Sequence, residues 1–329
     1  MNGFFKIGIV NKGINKKINN KEKISVMISN YNSQETIERT FYSIIKSVNN
    51  AEVIFVDDYS KDNSLRILKN LIEKNKKITK KKKLNFKIFK LKKHLGVGAV
   101  RNRCLKESSE SLLLFMDSDV VLNKKVVEEM IKNSKDYDIL FPNIIFPNKK
   151  KMYPIFEHEK EYPLISTCFL IKKTSLNKLN YYFDENYKSG IEDVDFFIRC
   201  NYYGLKAKHL SNVHAIHLFK ERTNCEERFY YEIRGIVYAL RKLKIILKKT
   251  KLKHCIKIKT LIKHFICAVF NFNWSDWASY DRDSSLISKL SLLFKKHSRI
   301  SSRGSLYLIK LYFKALFEGL KLKIDNDRK

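Results

Sequence analysis

Proline is nearly absent from this 329-residue chain, with four residues, and glycine is scarce, with ten. All four prolines fall within 142–163, which marks one irregular segment placed to lie over a site. The six cysteines (104, 168, 200, 225, 255 and 267) include no C-x-x-C pair. That scatter argues against a zinc site and a disulfide framework, and for a reducing compartment. No run of ~18 apolar residues occurs, so no membrane-spanning helix is expected. The N-terminus does not read as a secretory signal, because Lys6 and two glycines interrupt Phe4, Phe5, Ile7, Ile9 and Val10. A cytoplasmic location is therefore expected. Acidic residues are also in deficit, 34 against 66 Lys and Arg, for a formal charge of +32. A charge of that size implies nucleic acid, an anionic membrane face or acidic substrates as partners. Part of it reflects an abundance of Lys, Asn and Ile of the kind that AT-rich coding produces.

Apolar residues make up 44% of the chain, enough for a sizeable core. The length suits two modest domains, or one large domain with an appendage. The most informative stretch is 112–119, Leu-Leu-Leu-Phe-Met-Asp-Ser-Asp. A short apolar run of this kind suits a strand buried on both faces of an α/β sheet. Ligands of such sheets bind beyond the carboxyl ends of the strands. Asp117 and Asp119 would emerge there, where two carboxylates suit a divalent cation.

Residues 1–23 are a polar lead-in. A first strand over 24–29 is closed by Asn30-Tyr31-Asn32-Ser33, with Ser33 placed to cap the next helix. A second strand over 53–56 ends on Asp57-Asp58. The lysine run 76–83 reads as a solvated loop. A strand over 86–91, the loop 94–98 and a helix over 99–106 lead to the strand at 112. Four strand–helix alternations predict a parallel, doubly wound arrangement up to residue 120, a nucleotide-binding half. Beyond it, 139–141 and 166–171 read as strands, 191–203 as a helix, and 206–209 and 213–217 as extended. From residue 226 the chain becomes helical and basic. Apolar stripes at helical spacing run through 229–240, 258–269 and 306–320, each with a Lys/Arg-rich opposite face.

Four polar clusters fall at strand ends or in loops. They are Asp57-Asp58, Gly96 with Arg101-Asn102, Asp117-x-Asp119, and Gly190 followed by Glu192-Asp193-x-Asp195. His214 and His217 follow. Their order and context resemble the family 2 glycosyltransferases, which have the GT-A fold. The resemblance runs through the Asn-Tyr-Asn turn, Val-Asp-Asp-x-Ser-x-Asp at 56–62, Ala-x-Arg-Asn at 99–102, the D-x-D, Phe-Asp-Glu at 183–185 and Glu-Asp-x-Asp. It covers roughly residues 24–220, and the motifs are jointly specific. Two departures stand out: His94 replaces a frequent Asn, and Ile191 separates Gly190 from Glu192.

The resemblance implies a Rossmann-type mixed sheet flanked by helices over 24–225, with a nucleotide-binding half at 24–120 and an acceptor half at 121–225. A basic helical region at 226–329 follows. It implies an inverting transfer from a UDP-, GDP- or TDP-sugar to a glycan or lipid-linked acceptor. Asp193 would be the base and Glu192 would orient the acceptor or the metal shell. One of Asp57 and Asp58 would meet the nucleobase, with turn chemistry as the plain alternative. Asn30 joins the nucleotide-sugar set. Asp119 is expected on Mn2+ or Mg2+, and Asp117 on the ribose or through water. Arg101 is expected at the diphosphate or as a surface helix charge. His217 is the expected imidazole for metal or diphosphate, with His214 competing. Two rivals remain. A nucleic-acid-binding protein would explain the charge, but no groove-reading motif is present, so no nucleic acid is expected. A non-catalytic relative that only binds a partner is the other. The tail's opposed apolar and basic faces, with Trp274 and Trp277, suit peripheral attachment to the inner face of an anionic membrane.

Overall fold

The computed structural model describes residues 23–147, 166–218, 225–243 and 303–324. The lead-in up to residue 22, most of the proline-bearing segment, the 258–269 stripe and both tryptophans lie outside the described residues.

Four parallel strands form the first half: β1 (Ile24–Asn30), β2 (Ala51–Asp57), β3 (Leu84–Lys90) and β4 (Leu112–Asp117). β1, β2 and β4 are buried almost throughout, as their unbroken apolar runs require. β3 stands at the sheet edge and is only half-buried. α1 (Ile37–Ser47), α2 (Ser64–Lys74) and α4 (Val97–Glu107) connect them, with a short helix, α3 (Lys76–Lys81), before β3. The lysine run expected to be a loop is thus mostly helical. Lysine is a good helix former, and Thr79 is buried beneath the turn. Ser33 also differs from expectation. Its carbonyl, not its hydroxyl, accepts from Thr36 and Ile37 N–H at 3.0 and 2.9 Å, while the hydroxyl donates to Asn30 Oδ1.

The second half adds β5 (Val120–Val121), α5 (Lys124–Asn133), β6 (Ile139–Ile145), β7 (Cys168–Lys172), α6 (Lys173–Leu176), α7 (Glu192–Tyr202) and β8 (Ala207–His217). All eight strands join one mixed sheet in the order β3-β2-β1-β4-β7-β6-β8-β5. β7 runs antiparallel to β4 and β6, and β5 antiparallel to β8. Alternate strand residues supply the two faces. Val26 and Ile28 pack with Phe41 and Ile44 of α1, while Met27 packs with Phe115, Phe169, Phe196 and Phe197.

Two further helices, α8 (Cys225–Lys242) and α9 (Ser305–Lys321), follow. Ile236, Tyr238, Ala239 and Leu243 share a buried cluster with Phe196 and Phe197 of α7. α9 packs closely on α8 at Gly319. A Cβ there would sit 2.7 Å from the Arg234 carbonyl oxygen and 2.9 Å from Val237 Cβ.

Candidate active site

The carboxyl ends of β1, β2 and β4 lie side by side. Asn30 pairs in register with Asp57, and Ser29 with Asp117. Chain order reverses between β1 and β4, the kind of switch point at which α/β sheets open a crevice. The turn after β4 is tied to its neighbours. Ser118 N–H donates to Ser29 O at 3.1 Å, and the hydroxyls of Thr36 and Thr40 donate to Ser118 O at 3.1 and 2.9 Å.

Asp57 and Asp58 have different jobs. Asp57 is fully buried and accepts from Asn30 Nδ2 at 2.6 Å, Ser60 N–H at 3.0 Å and the Ser60 hydroxyl. Asn30 is the buried hub of this turn, since Nδ2 also reaches Ser60 and Ser64 Oγ at 3.2 and 3.1 Å. Asp58 clamps the glycine loop, accepting from Leu95 and Gly96 N–H at 2.8 and 2.9 Å. It also pairs with His94 Nδ1 at 2.8 Å. That hydrogen bond raises the His94 pKa, against the opposing effect of burial. The imidazole stacks on Tyr31, ring centroids 4.3 Å apart, and Tyr31 is 48% exposed. Both carboxylates are thus buried and hydrogen-bonded within the turn, and the exposed Tyr31 ring lies beside them.

Gly96 has φ +94°, and an added Cβ would fall 2.5 Å from the Lys188 carbonyl oxygen. Gly96→Ala is expected to cost about 2 kcal/mol through backbone strain, more with the clash. It should also loosen the loop that Asp58 holds. Thermal unfolding measures the loss.

Arg101 is neither on the surface nor open to a diphosphate. It is 2% exposed. Its guanidinium donates to Glu192 Oε1 at 3.0 Å and to Asp117 Oδ1 at 3.3 Å. One buried cation thus joins the end of β4 to the first turn of α7. Glu192 is itself buried, and its Oε2 has no hydrogen-bond partner among the described residues. Burial, and then the charge of Asp193, push its carboxyl up to about 7, while Arg101 opposes the rise. Asp193 is less buried and accepts from Ser166 N–H at 3.2 Å, Ser166 Oγ at 3.1 Å and Val194 N–H at 2.9 Å. Ile191, the inserted residue ahead of this turn, sits in the left-handed region at φ 71°.

On the other side of the D-x-D, β5 pairs with β8 and brings Val120 opposite His217. His217 Nε2 lies 3.1 Å from Asp119 Oδ2. His214 is exposed, and of the two histidines His217 is the one beside Asp119. Asp119 Oδ1 is buried with no hydrogen-bond partner among the described residues. An unsatisfied carboxylate oxygen beside an imidazole fits a divalent cation. No ready-made cage of three or more His, Cys, Asp or Glu side chains gathers among the described residues. Such an ion would take its remaining ligands from diphosphate and water, as Mg2+ commonly does.

Ser166 and Lys242 escaped sequence reading, and Tyr31 and His94 stand out there only as parts of a turn and a loop. Ser166 carries no chemical signature of its own. Lys242 lies 47 positions beyond Asp195 yet meets it at 2.9 Å.

The model of the glycosyl transferase family 2 matches residues 25–190. An uncharacterized glycosyltransferase of Methanocaldococcus jannaschii is 26% identical over 202 residues, 55% of this chain and 65% of that protein. The poly(ribitol-phosphate) β-N-acetylglucosaminyltransferase TarP of Staphylococcus aureus is 31% identical over 119 residues, 35% of this chain and 34% of TarP. The chain thus spans less than two thirds of either relative. Among solved structures, S. aureus TarS 1–349 in complex with UDP-GlcNAc aligns with TM-score 0.53 at 19% identity, covering 93% of this chain and 98% of that one. A mannosyltransferase from Pyrobaculum calidifontis in complex with GDP-Man and Mn2+ aligns with TM-score 0.54 at 14% identity, covering 91% and 86%. At these identities the structures speak for the fold, a GT-A-like mixed sheet flanked by helices. Because the family model extends over half of the chain, from the first strand to the glycine before the acidic helix, the chain belongs to glycosyl transferase family 2.

Proposed function

We propose that this glycosyltransferase moves a sugar from a nucleoside-diphosphate donor onto a hydroxyl of a glycan or lipid-linked acceptor, with inversion, and that Asp193 is the general base. The observation that carries the reading is the Arg101 bridge, which ties Asp117 at the end of β4 to Glu192 in the first turn of α7. The donor is a UDP-, GDP- or TDP-sugar. Its base would stack on Tyr31 beside Asp58, and its ribose would meet Asp117. The UDP-GlcNAc and GDP-Man of the aligned structures support this donor class. TarP is named for poly(ribitol-phosphate), an anionic polymer rich in hydroxyls. The charge of +32 here suits an acceptor or lipid surface of that sign. The setting proposed is cytoplasmic, at the inner face of a membrane. The buried free thiols Cys104, Cys168 and Cys200 suit a reducing compartment.

In the reaction the acceptor oxygen bonds to the anomeric carbon as its proton passes to Asp193. The bond from that carbon to the diphosphate breaks, and its electron pair leaves with the diphosphate. Direct attack inverts the carbon and needs no protein nucleophile. Arg101 keeps Glu192 and Asp117 from repelling each other across the site. Asp119 and His217 would hold Mn2+ or Mg2+, which stabilises charge on a departing diphosphate.

Asp119→Ala tests the metal assignment. Stabilisation of the protein by Mn2+ with a nucleoside diphosphate, read by thermal shift, should weaken at least roughly tenfold in apparent affinity. Wild-type protein should hydrolyse or transfer one nucleotide sugar in a screen with Mn2+ and Mg2+. Donor binding without any turnover would instead indicate a non-catalytic member. Tight sequence-dependent nucleic-acid retention with no turnover would replace the proposal altogether.

A further inference from the structure

We infer that α9 lies along an anionic phospholipid surface, with its outward apolar face in the boundary between headgroups and acyl chains. The inference does not depend on sugar transfer. α9 has two apolar faces rather than one. Leu308, Tyr312 and Ala315 turn inward and are 0, 6 and 0% exposed. Glu318, the acidic residue of this helix, is turned to the Tyr230 hydroxyl on α8. On the opposite side Leu306, Phe317 and Leu320 are between 54% and 68% exposed. A helix packed only against its own domain would place polar residues there.

The charge beside that face is of one sign. Lys310, Lys314 and Lys321 are exposed alongside the apolar row, and Lys321 Nζ lies 4.4 Å from the centre of the Phe317 ring. Large apolar side chains flanked by lysines suit a helix lying in the plane of an anionic bilayer. None of the helices among the described residues is long and apolar enough to cross a membrane. At 17 residues α9 is about 25 Å long.

Other occupants fit less well. A second copy docked symmetrically would bring lysine rows together. The stretch 244–302 is itself strongly basic and offers these lysines little opposite charge. Nucleic-acid phosphates would satisfy the lysines but not Leu306 and Leu320. Anionic phospholipid answers both features.

The test is co-sedimentation of the full chain with vesicles of phosphatidylglycerol and phosphatidylcholine in equal parts, and with pure phosphatidylcholine, at about 0.15 M salt. Wild type should bind the anionic vesicles at least tenfold more strongly. Phe317→Ser with Leu320→Ser should lower that binding at least tenfold, with unfolding midpoint and oligomeric state unchanged. Lys310→Gln, Lys314→Gln and Lys321→Gln together should abolish the preference for anionic vesicles. Absence of binding by wild type overturns the inference, as does full binding by the Ser variant. A lower unfolding midpoint of the Ser variant without lipid would show that the chain itself covers this face. Conversion of a wild-type dimer to a monomer would assign the face to a second copy. Either result overturns the proposal.

Discussion

Asp193→Asn is expected to lower kcat by two to four orders of magnitude, the range that a positioned general base contributes, while the protein stays folded and binds donor. The substitution keeps the shape of the side chain and one acceptor oxygen. With that oxygen in the Oδ2 position, Ser166 N–H and Ser166 Oγ still have an acceptor, and only the Val194 N–H contact at Oδ1 is given up. What is lost is the capacity to take a proton. Glu192→Gln should behave differently. Glu192 is buried and bound to Arg101, so its neutralisation disturbs the bridge to Asp117 and should appear in KM and stability as well as in kcat. The two variants are separated by measuring kcat at saturating donor, donor affinity by titration, and the unfolding midpoint. Retention of more than about a tenth of wild-type kcat by Asp193→Asn would remove Asp193 as the base.

Lys242→Met is expected to destabilise the protein by about 3–5 kcal/mol, the usual cost of breaking a buried ion pair from one side. The Lys242 ammonium is 5% exposed and lies 2.6 Å from Asp184 Oδ2 and 2.9 Å from Asp195 Oδ1. Burial works against its charge, but Asp195 and Asp184 outweigh it and hold its pKa well above the usual lysine value. The surrounding groups are already committed. Asp195 pairs with Arg199 at 2.9 Å and Asp184 accepts from the Tyr238 hydroxyl at 2.9 Å. Removing the ammonium takes the cation from Asp184 and leaves Asp195 with Arg199 alone. Urea denaturation of the full chain reads the loss. Asp184→Asn combined with Lys242→Met should recover part of it, because the pair is coupled. A loss below about 1 kcal/mol would mean that Lys242 is solvated in solution. Activity should fall with stability, since Asp195 belongs to the same turn of α7 as Asp193.

Lys242 also bears on how the chain is organised. Composition changes at residue 226, where the helical, basic stretch begins. Packing does not change there, because α8 shares a buried cluster with α7. Composition reports how a segment meets solvent along its own length. It does not report which cluster the segment's apolar face joins.

Local pattern was enough to place the carboxylates at strand ends. Apolar runs at 53–56 and 112–116 had to be buried, so the carboxylates after them had to emerge at the carboxyl edge of a parallel sheet. The acidic first turn of α7 was legible for a similar reason, since the helical spacing of Val194, Phe197 and Ile198 sets its inward face. The lysine run before β3 misled, because charge suggested solvent while lysine tolerates a helix well.

Partnerships between distant residues were not legible. Arg101 meets Asp117 and Glu192 because β4 and α7 converge on α4, and a sequence shows only an arginine on a helix. His217 rather than His214 reaches Asp119 because β8 carries extra residues where its register with β6 shifts between Pro142 and Asn143. Burial passes from Leu210 to Val213, Ala215 and His217 across that irregularity, and a bulge of odd length moves side chains to the other face. Residue type and period set the elements and the edge at which carboxylates collect, since both depend on neighbours along the chain. Which carboxylate is sealed, bridged or left with a spare oxygen depends on contacts across tens of positions, and those exist only once the sheet has closed its register.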